Sequence, residues 1–355
     1  MELYTFIEGI VVWLVSIVQY ILNVIGLHGL SDWLGGADII RLLTYLGQAL
    51  IVFLVGFIIC LTMIWQERKT LGRLMDRRGT RIGPLGYAQQ LADGFKTFLK
   101  EIIVPERAWT SGYNWALIIL IASSVILVGI IPLSDGWFLS STPAGLLLLF
   151  AVFSLAPFAI LIGGWASNNK YTLIGGMRSA AQLISYEVPL LLSTVGVILL
   201  AGSLSFGDIV AAQDKIWFVI PQIIGFIVFM IAMNAEVERI PFDLPEAEAE
   251  LVEGWGTEYG GLRFGLIMFA EYLRGYAGAA IAAILFLGGW NGPFLPPELW
   301  LLIKVFIIFF VFIWVRGSFP RVRTDQILNL GWKWLMPLAI INLIIAVAFK
   351  MLGWF

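Results

Sequence analysis

Residues 42–65 read LLTYLGQALIVFLVGFIICLTMIW, a run that contains no charged side chain. A helix needs about 20 mainly apolar residues to cross the hydrocarbon core of a bilayer. Seven further apolar runs lie at 115–132, 144–165, 179–202, 216–235, 262–288, 299–315 and 334–352. With 60% hydrophobic and only 13% charged residues, the chain is predicted to be an all-α, polytopic transmembrane helix bundle with eight core spans.

One more apolar run lies at residues 3–27. It is interrupted by the polar residues Glu8, Gln19 and Asn23. This run is predicted to be either a ninth, N-terminal span or a helix on the membrane surface. Residues 1–40 are therefore treated as an N-terminal hydrophobic extension of a transmembrane bundle at 41–355.

Lysine and arginine residues distinguish the two sides of the membrane. Of the 22 basic residues, 17 lie in the loops 66–114, 166–178, 236–263 and 316–333, which alternate onto one side of the eight-span arrangement. Cytoplasmic loops are enriched in Lys and Arg. These loops are therefore predicted to face the cytoplasm, with the multi-pass chain in the inner or cytoplasmic membrane.

The chain has one cysteine, Cys60, and one histidine, His28. An iron–sulfur cluster needs about four Cys ligands, and a zinc site needs three or four Cys, His or acidic ligands. The sequence therefore predicts no metal site. A nucleophilic Cys–His pair is not favoured, because the two residues lie in different apolar runs and no local motif accompanies them.

Ionisable residues inside the predicted spans are candidate functional residues, because charge is costly in hydrocarbon. Glu187 shares one side of its span with Ser179, Gln182 and Tyr186, which fits either a structural hydrogen-bond network or a proton-carrying carboxylate in a hydrated path. Glu271 and Arg274 are three residues apart, a spacing that allows them to pair on one helix face.

The residues from 236 to 258 carry an unusual concentration of acids. They are Glu236, Glu238, Asp243, Glu246, Glu248, Glu250, Glu253 and Glu258. An acidic loop is usually a solvated surface, but Pro, Phe, Leu and Trp residues interrupt this one. A helix over 245–254 would place Glu246, Glu250 and Glu253 on one face. Crowded carboxylates do not all stay ionised, so the segment is predicted to be sensitive to charge.

The loop 66–114 contains a second feature, an amphipathic helix. Its apolar face is formed by Leu91, Phe95, Phe98 and Leu99, and Asp93, Lys96 and Lys100 lie away from that face. Such a helix is predicted to lie on the membrane surface, where it suits the mouth of a site for a lipid-soluble ligand. Lys304, about one turn inside its span, is expected to extend its amine to the outer interface.

Four polar stretches carry a family resemblance. They are Glu67-Arg68-Lys69 with GTRIGPLG (79–86) and LADGFK (91–96); GWASNNKYTLIGGMRSAAQLISYEVP (164–189); ERIPFDLPEAEAELVEGWGTEYGGLRFGLIMFAEY (238–272); and Arg316, Pro320, Arg321, Arg323, Asp325 and Gln326. Over roughly 41–350 the chain resembles the quinone-site membrane subunit of the proton-pumping NADH:quinone oxidoreductase (complex I), a family found in bacteria and in mitochondria.

The resemblance implies roles for particular residues. The quinone chamber is expected to be lined or shaped by Glu67, Arg68, Arg239, Phe242 and Asp243. Proton coupling is expected to involve Glu187, Glu236, Glu246, Glu248, Glu250, Glu253, Glu258 and Glu271. Quinone is the implied substrate; this chain is expected to bind neither metal nor flavin, and the iron–sulfur clusters are expected in peripheral partner subunits on the cytoplasmic face. Adjacent membrane subunits and membrane lipid are the other implied partners, and no nucleic acid is expected.

The sequence departs from the family pattern in places. The turn at 77–84 is about one residue shorter, and Arg274 is not expected from the family. Alternatives that stay open are a related ferredoxin- or deazaflavin-dependent oxidoreductase or hydrogenase membrane subunit, a stand-alone ion transporter, and a purely structural membrane anchor. The electron donor is expected to bind another subunit.

Overall fold

The structure is a computed structural model that describes residues 2–25, 35–135, 142–243 and 248–352. Regular structure in these ranges is entirely helical, as predicted. The α-helices are α1 (Glu2–Ile25), α2 (Ala37–Leu74), α3 (Ala88–Leu99), α4 (Thr110–Ile130), α5 (Gly145–Phe153), α6 (Leu155–Ala166), α7 (Lys170–Ala201), α8 (Phe206–Ala211), α9 (Ile223–Glu236), α10 (Glu248–Leu251), α11 (Leu262–Phe286), α12 (Pro297–Ser318), α13 (Thr324–Asn329) and α14 (Met336–Met351). Short 3₁₀ turns lie at Pro84–Gly86 and Gly254–Gly256, and a π-helical turn at Leu330–Leu335.

Seven of the predicted spans correspond to apolar helices long enough to cross a membrane within the described ranges. The remaining run, 216–235, differs from the prediction: it is helical only over Ile223–Glu236, 14 residues, because a non-helical turn occupies the residues before it. The N-terminal run forms α1, 24 residues long, which packs against α2.

Helix α11 lies at the centre of the bundle, and 94% of the residues in its most apolar stretch are buried. Small residues allow this close packing. A Cβ atom on Gly278 would lie 2.4 Å from Cε of Met233 in α9, and one on Gly275 would lie 3.2 Å from the Phe309 ring in α12. The outer helices carry exposed Leu, Ile and Phe side chains, which are suited to contact lipid.

Proline accounts for two irregularities in the spanning helices. The span at 145–166 is divided at Ser154, three residues before Pro157, and the π-helical turn at Leu330–Leu335 comes immediately before the helix that contains Pro337. A proline cannot donate the backbone hydrogen bond of a regular turn and displaces the carbonyl four residues earlier. These breaks therefore follow from local sequence.

Helix α3 is the amphipathic helix predicted in the first inner loop. It packs against α2 and α11, while Phe95, Phe98 and Leu99 on its other side are 60–87% exposed. Its hydrophobic face is thus directed away from the bundle. This arrangement fits the predicted position on the membrane surface.

Lys304 does not extend to the outer interface, contrary to the prediction. Its side chain is buried, and Nζ donates hydrogen bonds of 2.7 Å to the main-chain carbonyls of Leu287, Gly289 and Asn291. The turn after α11 folds back over α12, so its main-chain carbonyls lie within hydrogen-bond distance of the Lys304 ammonium. The ammonium therefore has its hydrogen-bond partners without reaching solvent. Lys304 therefore fixes the connection between the two helices.

Candidate functional site

Glu67 lies buried near the C-terminal end of α2, between two arginines from distant segments. Arg239, in the turn after α9, and Arg316, in the last turn of α12, each donate a hydrogen bond to one of its two carboxylate oxygens. The Glu67 side chain is 5% exposed. A buried carboxylate is stable when cations pair with both of its oxygens, so this junction joins α2, the turn and α12.

Arg239 extends the junction to α11. Its Nη2 lies 3.2 Å from Oε1 of Glu271, and its guanidinium lies 4.6 Å from the centre of the Tyr272 ring. Burial by itself would lower the pKa of Arg239, but the carboxylates of Glu67 and Glu271 outweigh it and raise that pKa above its ordinary value. Arg239 is therefore a permanent cation between two acids.

Arg274 pairs with Glu236 and not with Glu271, three residues before it. Its Nη2 donates to Oε1 of Glu236 at 2.9 Å and to the Glu236 carbonyl at 3.0 Å. The pairing within α11 that the spacing allowed is thus replaced by two pairings across elements. The end of α9 places Glu236 next to Arg274, and the turn places Arg239 next to Glu271.

Glu238 differs from its neighbours, because within the described residues its side chain contacts no guanidinium. Its carboxylate accepts a hydrogen bond from the Ser179 hydroxyl of α7. Burial raises the pKa of Glu238 to about 7, although the Ser179 hydrogen bond and the Arg274 charge oppose that rise. A cavity of about 20 Å³, room for a single water molecule, lies between Glu238, Glu271 and Arg274.

The polar face of α7 is divided between two roles. Gln182 donates to the Ala235 carbonyl at 2.9 Å, and the Tyr186 hydroxyl donates to the Ile327 carbonyl at 2.9 Å. With Ser179, these side chains form the structural network that one interpretation predicted. Glu187 is half-buried and makes no hydrogen bond to any residue that the structure describes. It lies near enough to Glu236 for the charges of the two carboxylates to interact.

The acidic segment is less helical than predicted. The helix ends at Leu251, because Val252 (φ 66°) and Gly254 (φ 59°) adopt left-handed backbone conformations. Residue 246 and the side chain of Glu248 lie outside the described part of the structure. A helix over 245–254 with three acids on one face is therefore wrong at its C-terminal end.

The remaining acids of this segment have separate partners. Glu250 pairs with Arg178 of α7 at 2.7 Å, and Glu258 accepts a hydrogen bond of 2.6 Å from Asn169. Glu253 is exposed. The acidic segment also packs closely against α7. A Cβ atom on Gly175 of α7 would lie only 2.7 Å from Cα of Gly254.

Three more residues predicted for the chamber lie around the junction. Arg68 forms a half-exposed pair with Asp93 of α3. The Phe242 ring is buried, 5.5 Å from the Tyr186 ring centre, and Asp243 pairs with Arg321 at 3.1 Å. Burial raises the pKa of Asp243 above its ordinary value, although Arg321 and Arg316 act against the rise.

Sequence reasoning did not assign roles to Arg316, Arg274 and Glu238 in this site. One signal was available for Arg316: an acid at the inner end of a span, such as Glu67, needs a cation at the same depth, and Arg316 is the basic residue at the inner end of its own span. The partners of Arg274 and Glu238 depend on how α7, α9 and α11 cross, which no local pattern reveals.

These features define a class of protein: a polytopic helical membrane protein with a buried carboxylate–guanidinium cluster at one end of its bundle. Residues 47–347 match the model of the NADH dehydrogenase family. The chain is 45% identical over 316 residues to the NADH-quinone oxidoreductase H subunit of Dehalococcoides mccartyi strain CBDB1, covering 88% of each chain. It is 44% identical over 313 residues to the protein of that name from Geobacillus thermodenitrificans, covering 86% of this chain and 94% of the relative.

A third relative, the NADH-quinone oxidoreductase H subunit of Anoxybacillus flavithermus, is 45% identical over 313 residues, covering 86% of this chain and 93% of its own. The chain therefore belongs to the H-subunit family of NADH-quinone oxidoreductases, the membrane subunit of complex I that its motifs resemble.

Proposed function

We propose that the chain forms the membrane wall of a quinone-binding chamber and couples quinone reduction to proton translocation in a complex I-type oxidoreductase. The observation that carries this proposal is the cluster of Glu67, Arg239, Glu236 and Arg274, all buried, with the partly exposed Glu271, at one end of the bundle. Membership in the H-subunit family supports quinone as the substrate.

The chemistry explains why such a cluster is useful. Reduction of a quinone by two electrons requires two protons, and a transient anion repels nearby carboxylates. Charges interact far more strongly inside a protein than in water. An anion near Glu67 and Arg239 therefore disturbs their ion pair and, through Arg239, the charge on Glu271.

Protons are proposed to move along the acids that enter the bundle from this junction. Glu271, Glu236 and Glu187 form the inner part of this row, and the acidic segment with Glu246, Glu248, Glu250, Glu253 and Glu258 forms its outer part. The entrance is shaped by Arg68, Phe242 and Asp243, beside the exposed apolar face of α3. A lipid-soluble quinone enters from the bilayer next to that face.

The cofactors and partners follow from the same scheme. Electrons reach the quinone from iron–sulfur clusters in peripheral subunits that dock on the basic cytoplasmic loops, and this chain contributes no redox group of its own. Neighbouring membrane subunits continue the proton path, and the complex lies in the inner or cytoplasmic membrane. Residues 41–355 form the functional bundle, and 1–40 is an accessory extension.

The test uses the assembled complex in proteoliposomes. Glu187→Gln is expected to lower the number of protons translocated per electron while quinone reduction continues, because the half-buried carboxyl is removed without loss of volume. Glu106→Gln, an exposed acid in the first inner loop, is the matched control and is expected to leave the ratio unchanged. An unchanged ratio in Glu187→Gln would remove this row from the coupling path.

A stand-alone transporter makes a different prediction for the same preparation. The purified chain alone would then transport ions in liposomes, and iron–sulfur subunits would not co-purify with it. We expect the opposite: peripheral subunits in the purified complex, identified by mass spectrometry, and quinone reduction that depends on them.

A further inference from the structure

The buried cluster contains one more acid than it has cations. Its carboxyl groups belong to Glu67, Glu236, Glu238 and Glu271. Its guanidinium groups belong to Arg239, Arg274 and Arg316, and they contact three of those four carboxyls. Burying an uncompensated charge is costly, so at neutral pH the cluster is stable when one carboxyl carries a proton.

The geometry identifies the acid that holds this proton. Glu67 contacts two guanidinium groups, and Glu236 and Glu271 contact one each. Glu238 contacts the Ser179 hydroxyl instead, and it is 8% exposed. Protonation of Glu238 breaks no ion pair, whereas protonation of any of the other three carboxyls weakens one, so the contacts favour Glu238 as the protonated acid.

The groups around Glu238 provide a path by which its proton can be transferred. The charged groups whose fields act on it are Arg274 and Glu271 of α11, Glu236 at the end of α9 and Asp243 of its own turn, and α7 contributes Ser179. Leu120 of α4 and Ile160 of α6 close the cavity with apolar side chains. A water molecule fits there, between the carboxyls of Glu238 and Glu271.

We propose that Glu238 stores one exchangeable proton and passes it through a water molecule in this cavity to Glu271, and that Arg274 is the positioning residue that keeps the proton off Glu236. In the transfer, the O–H bond of Glu238 breaks, the water accepts that proton and gives one of its own to Glu271. Glu238 becomes a carboxylate and Glu271 a carboxylic acid, so the charge of the cluster does not change.

This inference rests on the proposed function and adds to it a proton store controlled by the ion pairs. When Glu271 takes the proton, its ion pair with Arg239 weakens, and Arg239 is then held mainly by Glu67. Proton transfer at Glu238 is thereby linked to the junction where quinone reduction is proposed to act. Glu187, which has no such link, remains a separate part of the row.

Counting protonated carboxyls tests the store directly. The purified complex is labelled with isotopic glutamate, and infrared difference spectra at a pH below the pKa of Glu238 compare each variant with the unaltered complex. Glu238→Gln is expected to remove one protonated carboxyl per complex. Arg274→Gln leaves four carboxyls with two guanidinium groups and is expected to add one, whereas Arg274→Lys keeps the charge and is expected to add none.

A second pair of variants covers the case in which Arg274→Gln does not assemble. Glu236→Gln leaves three carboxyls with three cations and is expected to lose the stored proton. The double variant Glu236→Gln with Arg274→Gln removes both charges of the pair and is expected to regain it. Glu106→Gln is again the control, with no change in the spectrum.

The outcomes separate this inference from the proposed function. If Glu238→Gln leaves the carboxylic signal unchanged, or Glu236→Gln leaves it intact, the store is not at Glu238, even when the complex reduces quinone and pumps protons. If the signals change as expected while the complex fails to pump, the store stands and the coupling proposal fails. The number of protons per electron in Glu238→Gln is measured beside them and is expected to fall.

Discussion

Arg239 places its Nη2 atom 3.2 Å from Oε1 of Glu271, so a turn between two helices pairs with an acid inside the central span. The same guanidinium binds Glu67. One cation therefore lies between an acid near the C-terminal end of α2 and an acid of α11. The stability of the protein is therefore expected to depend differently on each of these two acids, and this difference can be measured.

Glu67→Gln is expected to destabilise the protein by about 3–5 kcal/mol, because it leaves the buried Arg239 without its main anion. The measurement is the thermal unfolding midpoint of the purified complex. Asp93→Asn breaks the half-exposed pair with Arg68 and serves as the control, with an expected loss below about 1 kcal/mol. Equal losses in the two variants would contradict a special role for the junction.

Glu238 is expected to make stability depend on pH. Its pKa is raised from 4.5 to about 7 in the folded chain, so between these values the folded chain holds a proton that the unfolded chain has released. Stability from this group is therefore complete below about pH 4.5 and is lost as pH rises toward 7, by about 3 kcal/mol in total.

The measurement for Glu238 compares unfolding midpoints at about pH 5 and about pH 8. Glu238→Gln stays neutral throughout and is expected to flatten the difference, while Glu106→Gln is expected to keep it. A Glu238→Gln profile as steep as that of the unaltered complex would assign the titration to another group.

Lys304→Met is expected to cost about 3 kcal/mol, because three main-chain carbonyls lose a charged hydrogen-bond donor. Lys350→Met is the matched control: Lys350 donates to one carbonyl, that of Leu199, in an exposed position, and its loss is expected to cost less than about 1 kcal/mol. The thermal unfolding midpoints of the two variants are measured in the same detergent and compared. A result in which Lys304→Met is the milder change would rule out the role given to this lysine.

Gly175→Ala is expected to push the acidic segment away from α7, because the new Cβ would meet main-chain atoms of Gly254 and Trp255 at 2.7–2.8 Å. A cost of about 1–3 kcal/mol is typical of such overpacking. Limited proteolysis within 248–258 is expected to become faster.

Gly94→Ala provides the contrast, since a Cβ there meets nothing within 4 Å. In the interior of α3 it is expected to stabilise the helix by about 0.5–1 kcal/mol. If proteolysis in the acidic segment were equally fast in both variants, contact with α7 would not be what holds that segment in place.

Much of the fold could be predicted because membrane insertion depends on the length and composition of apolar runs. The run at 42–65 became part of α2, and the amphipathic helix with Phe95 and Phe98 formed α3. The run at 216–235 was harder, because apolar composition does not distinguish a helix from a turn that carries apolar side chains. The helix predicted over 245–254 failed at Val252 for a related reason, since its backbone conformation is imposed by packing against α7.

The sequence predicted which residues belong to the candidate site better than it predicted which of them pair with each other. Acids such as Glu187 and Glu271 can be identified from the sequence because they are charged residues within otherwise apolar runs. The choice of Arg239 over Arg274 as partner of Glu271 depends on the crossing of helices and on the turn after α9. Spacing along one helix could suggest only the pair three residues apart.

The two-sided hold on Glu67 has a consequence for motion. Its carboxylate ties the turn that carries Arg239 to the last turn of α12, which carries Arg316. A shift of either segment must stretch a contact at α2 or carry the other segment along. The C-terminal ends of α2 and α12 and the turn after α9 therefore respond as one cooperative unit, in which Glu67 reinforces the direct pair of Arg321 with Asp243.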